Sequence, residues 1–149
     1  MGNATKNDQK DDATGTFPTT FPANCPALGQ AVDATIFHGC EHTPPDGDDF
    51  VPFAYSTNEG RRKRAARKGC DGWGISCWIS ETAARHAQEA FGWAARWHIY
   101  KGDVTSKDGK LAHTPSGNQA EHHTFWCYDG VSIKERFAYA LPPNHGFGK

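Results

Sequence analysis

The sequence predicts an α+β domain. Strand-like runs such as "DATIFHGC" (33–40) and "WHIYKGDV" (97–104) are separated by stretches with helical spacing. Ala83, Ala84, Ala87, Ala90, Phe91 and Ala94 recur on one helical face after Ser80. Near the C-terminus, "HTFWCY" and "VSIKERFAYAL" flank Asp129-Gly130, a hairpin signal. With 149 residues, 37% hydrophobic and 12% aromatic, the chain has enough material for one buried core.

Each element has a local reason. Residues 1–24 are polar, with Phe17-Pro18 and Phe21-Pro22 near their end, and read as a tail that begins to dock at the phenylalanines. Residues 25–149 then form the single domain. The first strand is rich in β-branched and aromatic residues and ends at Gly39. "TPPDGDDF" (43–50) is a loop by its Pro, Asp and Gly content, and "VPFAYST" (51–57) a short apolar stretch. Asn58 or Thr57 caps a helix that runs to Lys68 and is closed by Gly69. Only Ala65 and Ala66 are apolar within 61–68, so this helix must be largely solvated.

"WGISCWI" (73–79) reads as a strand with Ile75, Cys77 and Ile79 on one face and Ser76 and Trp78 on the other. Ser80 caps the alanine-rich helix, Glu81 suits its first turn, and Gly92 ends or loosens it. "KDGK" (107–110) is a turn and 111–120 a polar loop. On the last strand Val131, Ile133, Phe137, Tyr139 and Leu141 share a face, interrupted by Glu135, and "PPNHGFGK" stops the sheet.

The net charge is -1, so global charge predicts no polyanionic partner. The distribution is uneven: "RRKRAARK" (61–68) holds six of 16 basic residues, and acidic residues gather in "DGDD" at 46–49. A solvated helix face explains such a run, and contact with phosphates is the alternative. No stacking aromatic lies within the run itself. No apolar stretch approaches the ~20 residues of a membrane span, and no signal-peptide core is present. Five cysteines with no CxxC pair predict reduced thiols and a cytoplasmic protein, with secretion lacking a signal peptide left open.

Two sets of residues carry chemistry. His38, Cys40 and His42 stand at alternate positions and, with His122, His123 and Cys127, supply more than the four donors that zinc takes. HxCxH is not a common structural-zinc spacing. A half-buried strand whose histidine bonds a backbone carbonyl accounts for it without a metal. "NQAEHHTFW" (118–126) delivers Glu121 from a polar loop to the start of an apolar strand, where a strand fixes the carboxylate and a loop admits substrate.

Taken in order, "IFHGC" (36–40), "GWGISCWISETAARHA" (72–87) and "AEHHTFWCYDGVSIKERFAY" (120–139) resemble the ADP-ribosyltransferase superfamily, especially its poly(ADP-ribose) polymerase-like branch. The segments look like a His-Gly first strand, a Gly-x-Gly-Ile-Tyr strand with its small-residue helix, and the strand of the final catalytic Glu. The resemblance spans about residues 33–141. It implies an ADP-ribosyltransferase-like fold of antiparallel split β-sheets with two or three short helices. It implies NAD as co-substrate, with His38 on a ribose hydroxyl and Gly39 holding the nicotinamide amide. Glu121 would stabilise the oxocarbenium-like transition state.

Departures from the pattern are specific. Ser76 stands where the family has the stacking Tyr, and His86 where a second Tyr is usual. Trp78 shares the Ser76 face and offers a ring instead. A second branch of the superfamily uses Gln-x-Glu, which Gln119-Ala120-Glu121 matches; there the Gln orients the acceptor. Tyr55-Ser56-Thr57 is similar to that branch's middle motif, but no Arg stands on the first strand.

The resemblance therefore implies an NAD-dependent transferase that releases nicotinamide; the chain itself is expected to be a monomer. Its acceptor would be a nucleic acid, a protein or a small molecule, reached through Arg61, Arg62, Lys63, Arg64, Arg67 and Lys68. A small domain of this kind suits a toxin, a resistance factor or a nucleic-acid modifier. Two alternatives stand beside it: a non-catalytic NAD- or nucleic-acid-binding module on the same fold, and a zinc-stabilised binding domain.

Overall fold

The computed structural model describes residues 15–90, 94–117 and 119–144. The expected helix end at Phe91 and Gly92, the first part of the polar tail and the end of "PPNHGFGK" lie outside them. The chain is α+β: among the described residues it has two α-helices and two small antiparallel sheets of three strands each. One sheet has the order β1-β3-β6, from Ala34–Cys40, His98–Val104 and Ala138–Leu141. The other has the order β2-β5-β4, from Ile75–Cys77, His123–Cys127 and Gly109–His113.

Adjacent residues of β1 explain how the layers assemble, because neighbours on a strand point to opposite faces. Ile36 enters a core with Ile75, Cys77, Val104, Phe125 and Ile133, drawn from both sheets. Phe37 enters a second core with Trp78, Ile99, Leu141 and the alanines Ala83, Ala84 and Ala87. Those alanines belong to helix α2, Glu81–Ala90, whose small side chains let it lie close to the sheet. Ser80 Oγ accepts from Ala83 N at 3.1 Å and starts this helix as expected. The sheets are joined where Phe37 and Trp78 exchange two backbone hydrogen bonds, of 2.7 and 2.9 Å.

Helix α1, Glu59–Arg67, is also as the sequence predicts. Asn58 Oδ1 accepts from Arg61 N, Ala65 is its one buried residue, and Gly69 follows at φ +65°. That left-handed conformation favours glycine.

Three expectations are corrected. The strand pair around Asp129-Gly130 is not a hairpin: β5 and β6 lie in different sheets. Residues Lys134–Arg136 form a 3₁₀ turn, so the chain crosses to the other sheet and pairs with β3. Arg136 pays for that turn by pairing with buried Asp108. Strand β2 is only three residues long and ends before Ile79, which is exposed rather than sharing the Ile75–Cys77 face. Part of the 111–120 loop is the end of β4, which pairs with β5.

The thiol expectation also fails. Cys25 and Cys70 form a disulfide, tying the start of the domain to the turn after α1. Their separation of 45 residues hid the pair from any spacing argument. Cys40, Cys77 and Cys127 remain free thiols. Burial pushes all three thiol pKa values up, Cys127 to about 12. Ahead of the disulfide, Phe17 packs on Tyr128 and Phe21 on Trp73. Among the described residues, no helix is long and apolar enough to cross a membrane.

Candidate active site

A cavity of about 670 Å³ opens where β1 and β2 diverge. Its size falls within the roughly 300–1,000 Å³ usual for small-molecule sites. His38 and Gly39 of β1 meet Gly74, Ile75 and Ser76 of the second motif on its walls. These residues are 35 or more positions apart in the chain, and the sheet junction brings them together. α1 forms another wall through Arg61, Arg64, Ala65 and Lys68.

His38 is 8% exposed and both ring nitrogens face backbone carbonyls. Nδ1 lies 2.7 Å from the Ser76 oxygen, and Nε2 contacts the Asp49 oxygen. Burial lowers its pKa and outweighs the opposite pull of these carbonyls. The ring is thus neutral near pH 7 and donates to one of them at a time.

Asp49 anchors the turn that reaches His38. Its carboxylate, almost fully buried, accepts from the backbone N–H of Glu41 and Asp46 and faces His42 Nδ1 at 3.0 Å. Asp46 caps the same turn, Gly47–Phe50. This turn stands over the Nε2 edge of His38, the residue that the resemblance assigns to a ribose hydroxyl.

Gly39 serves a neighbour. A Cβ there would come within 2.1 Å of the Trp97 ring. The missing side chain thus admits an indole, and Trp97 forms part of the cavity wall. Trp97, Asp49 and Phe53 are wall residues that sequence reasoning missed. Each comes from a loop or an element end, where no periodicity signals burial.

Ser76, where the resemblance leads one to expect a stacking Tyr, makes a polar contact instead. Its hydroxyl lies 2.9 Å from His122 Nε2, while His122 Nδ1 faces the Thr114 carbonyl at 3.0 Å. Burial lowers the His122 pKa despite the Thr114 carbonyl. A neutral His122 therefore donates from Nδ1 to Thr114 and accepts from Ser76.

The remaining predicted site residues lie off the cavity. Trp78 does not present its ring there: it is 4% exposed in the α2 core, and its Nε1 donates to Gln119 Oε1 at 3.1 Å. His86 is on the exposed side of α2. Gln119 is buried, and among the described residues its Nε2 has no hydrogen-bond partner. Glu121 is exposed at the head of β5, next to the His122 that touches Ser76.

The zinc donor set does not assemble. Cys40 is fully buried in the core, and His38 is engaged with two carbonyls. Among the described residues, the one group with metal-ligand proximity is His42, Asp46 and Asp49, whose atoms lie within 4.8 Å of one another. Hydrogen bonds within the capped turn account for that grouping. No family model, curated protein or solved structure matches the chain.

Proposed function

We propose that this protein transfers ADP-ribose from NAD to an acceptor, releasing nicotinamide, on an ADP-ribosyltransferase-like fold of two split sheets. One observation carries this reading. The His-Gly strand and the Gly-x-Gly-Ile strand meet at one cavity, joined by the 2.7 Å contact of His38 with the Ser76 carbonyl.

The chemistry asks little beyond positioning and one negative charge. The bond between ribose C1 and the nicotinamide nitrogen breaks, and its electron pair leaves with nicotinamide. Positive charge develops on the ribose, where a carboxylate stabilises it. The acceptor's nucleophile then bonds C1 and loses its proton. Glu121 is the carboxylate on the third motif, and His122 links its strand to Ser76 in the cavity wall. Trp97 supplies an aromatic wall beside Gly39. His38 reaches a ribose hydroxyl once the Asp49 carbonyl withdraws, so this turn opens as the co-substrate enters. Gln119 holds the loop before Glu121 through Trp78.

The test is nicotinamide release from NAD, by the unaltered protein and by Glu121→Gln, with mass spectrometry on mixed protein, DNA and RNA acceptors. Release that is equal in both removes Glu121 from the mechanism. NAD binding without release favours the non-catalytic module.

A further inference from the structure

The basic run divides across α1. Arg61, Arg64 and Lys68 face the cavity, at the spacing of one helix side. Arg62, Lys63 and Arg67 are exposed on the other sides. Arg61 pairs with Glu41 at 2.7 Å and Lys63 with Glu59 at 3.1 Å. Among the described residues, no carboxylate pairs with Arg62, Arg64, Arg67 or Lys68. Four unneutralised cations thus share one short helix and its cap, in a chain whose net charge is -1.

Aromatic rings that the sequence separates from this run stand beside it in the fold. The turn Phe53–Tyr55 packs against α1, with Phe53 42% and Tyr55 40% exposed. The Arg61 guanidinium lies 5.1 Å from the Phe53 ring centroid. The Tyr55 ring is braced by Trp73 at 5.1 Å, edge to face, and its hydroxyl by Thr20. Braced but exposed rings beside cations that no carboxylate neutralises are the two components of a single-strand binding surface.

We propose that α1 and the Phe53–Tyr55 turn bind single-stranded nucleic acid. Arg62, Arg64, Arg67 and Lys68, which no carboxylate neutralises, take phosphates, and the two rings stack on bases. A duplex keeps its base faces covered, so it uses the cations alone. An acidic polypeptide has no bases to stack. Because Phe53, Arg64 and Lys68 also line the cavity, the strand lies at its mouth. Service as the acceptor rests on the ADP-ribosyl-transfer reading; binding itself does not.

Fluorescence anisotropy without NAD tests this, using a labelled single strand of about 12 nucleotides, its duplex, and polyglutamate as competitor. The single strand binds, and the duplex binds at least about tenfold more weakly. Three or four phosphate contacts give a slope of log affinity against log salt of about -2 to -3. Phe53→Ala and Tyr55→Ala each weaken single-strand binding by about fivefold to 100-fold. The double substitution Arg62→Gln, Arg67→Gln makes the salt slope shallower. Circular dichroism checks that each variant is folded. Absence of binding at about 50 mM salt overturns the proposal, as does equal affinity for single strand and duplex. Binding that polyglutamate competes away while both ring variants bind normally assigns the surface to acidic protein instead. Nicotinamide release is scored separately, so failure of binding and failure of NAD chemistry are distinguishable.

Discussion

The indole N–H of Trp78 donates to Oε1 of Gln119 at 3.1 Å. An indole nitrogen can only donate, so the bond decides which end of the amide is which. Among the described residues, Gln119 Nε2 is therefore the end left without a partner. Trp78→Phe keeps most of the packing against Ala83, Ala84 and Ala87 but leaves Oε1 unpaired as well. The expected loss is about 1–3 kcal/mol, read from urea denaturation. A change under about 0.5 kcal/mol would mean the amide finds another donor.

Glu121 separates stability from chemistry. Its side chain is exposed at the head of β5, so Glu121→Gln should change stability by less than about 0.5 kcal/mol. On the proposed mechanism it slows nicotinamide release by about 100-fold or more. The two measurements on one variant keep a folding defect from passing as a catalytic one.

Reduction of Cys25–Cys70 releases a loop spanning 45 residues. Loop-closure entropy predicts a loss of about 4 kcal/mol at that length. Denaturation with and without reductant measures it. Thiol counting before reduction should find Cys40, Cys77 and Cys127 slow to alkylate at pH 8, because burial keeps them protonated.

A buried and a half-buried histidine, His38 and His122, give the stability a pH dependence of known sign. Burial holds the pKa of His38 and of His122 below 6.5 in the fold, whereas both titrate near that value when unfolded. As pH falls through 6.5 the unfolded chain takes up protons that the folded chain refuses. Stability is thus full above that point and declines below it. The His42 pKa shifts the other way, because Asp49 accepts from its ring, but this ring is exposed and solvent screens the effect. Denaturation midpoints between pH 7.5 and 5.5 should fall; a rise would mean that His38 is charged in the fold and donates to both carbonyls.

Asp108 sets a second, more acidic limit. Burial raises its pKa, but hydrogen bonds from Arg136 and Thr105 outweigh it and hold the carboxyl below its usual range. A depressed acid contributes stability above about pH 4, which is lost as pH falls through its folded value. Asp108→Asn should cost about 2 kcal/mol at pH 7 and flatten the acid limb of the stability profile.

The sequence by itself determined the α+β class, both α-helices with their caps, and the strands β1 and β3. Those features rest on local chemistry: Asn58 and Ser80 as caps, Gly69 at positive φ, and alternating or helical apolar spacing. It singled out His38, Gly39, Ser76, Trp78 and His86 as candidates for NAD binding; the first three line the cavity and the last two do not. The partner of each strand depended on contacts far apart in the chain. Asp129-Gly130 signals a turn, yet the pairing of Arg136 with Asp108 and the burial of Ile133 send the next strand to the other sheet. Trp97 over Gly39, the Asp49 carbonyl at His38, the Cys25–Cys70 bond and the rings beside α1 were likewise decided by tertiary structure. A residue's type and neighbours in sequence limit what it can bond. Which distant group fills that bond is decided when the two sheets close on each other and bury it.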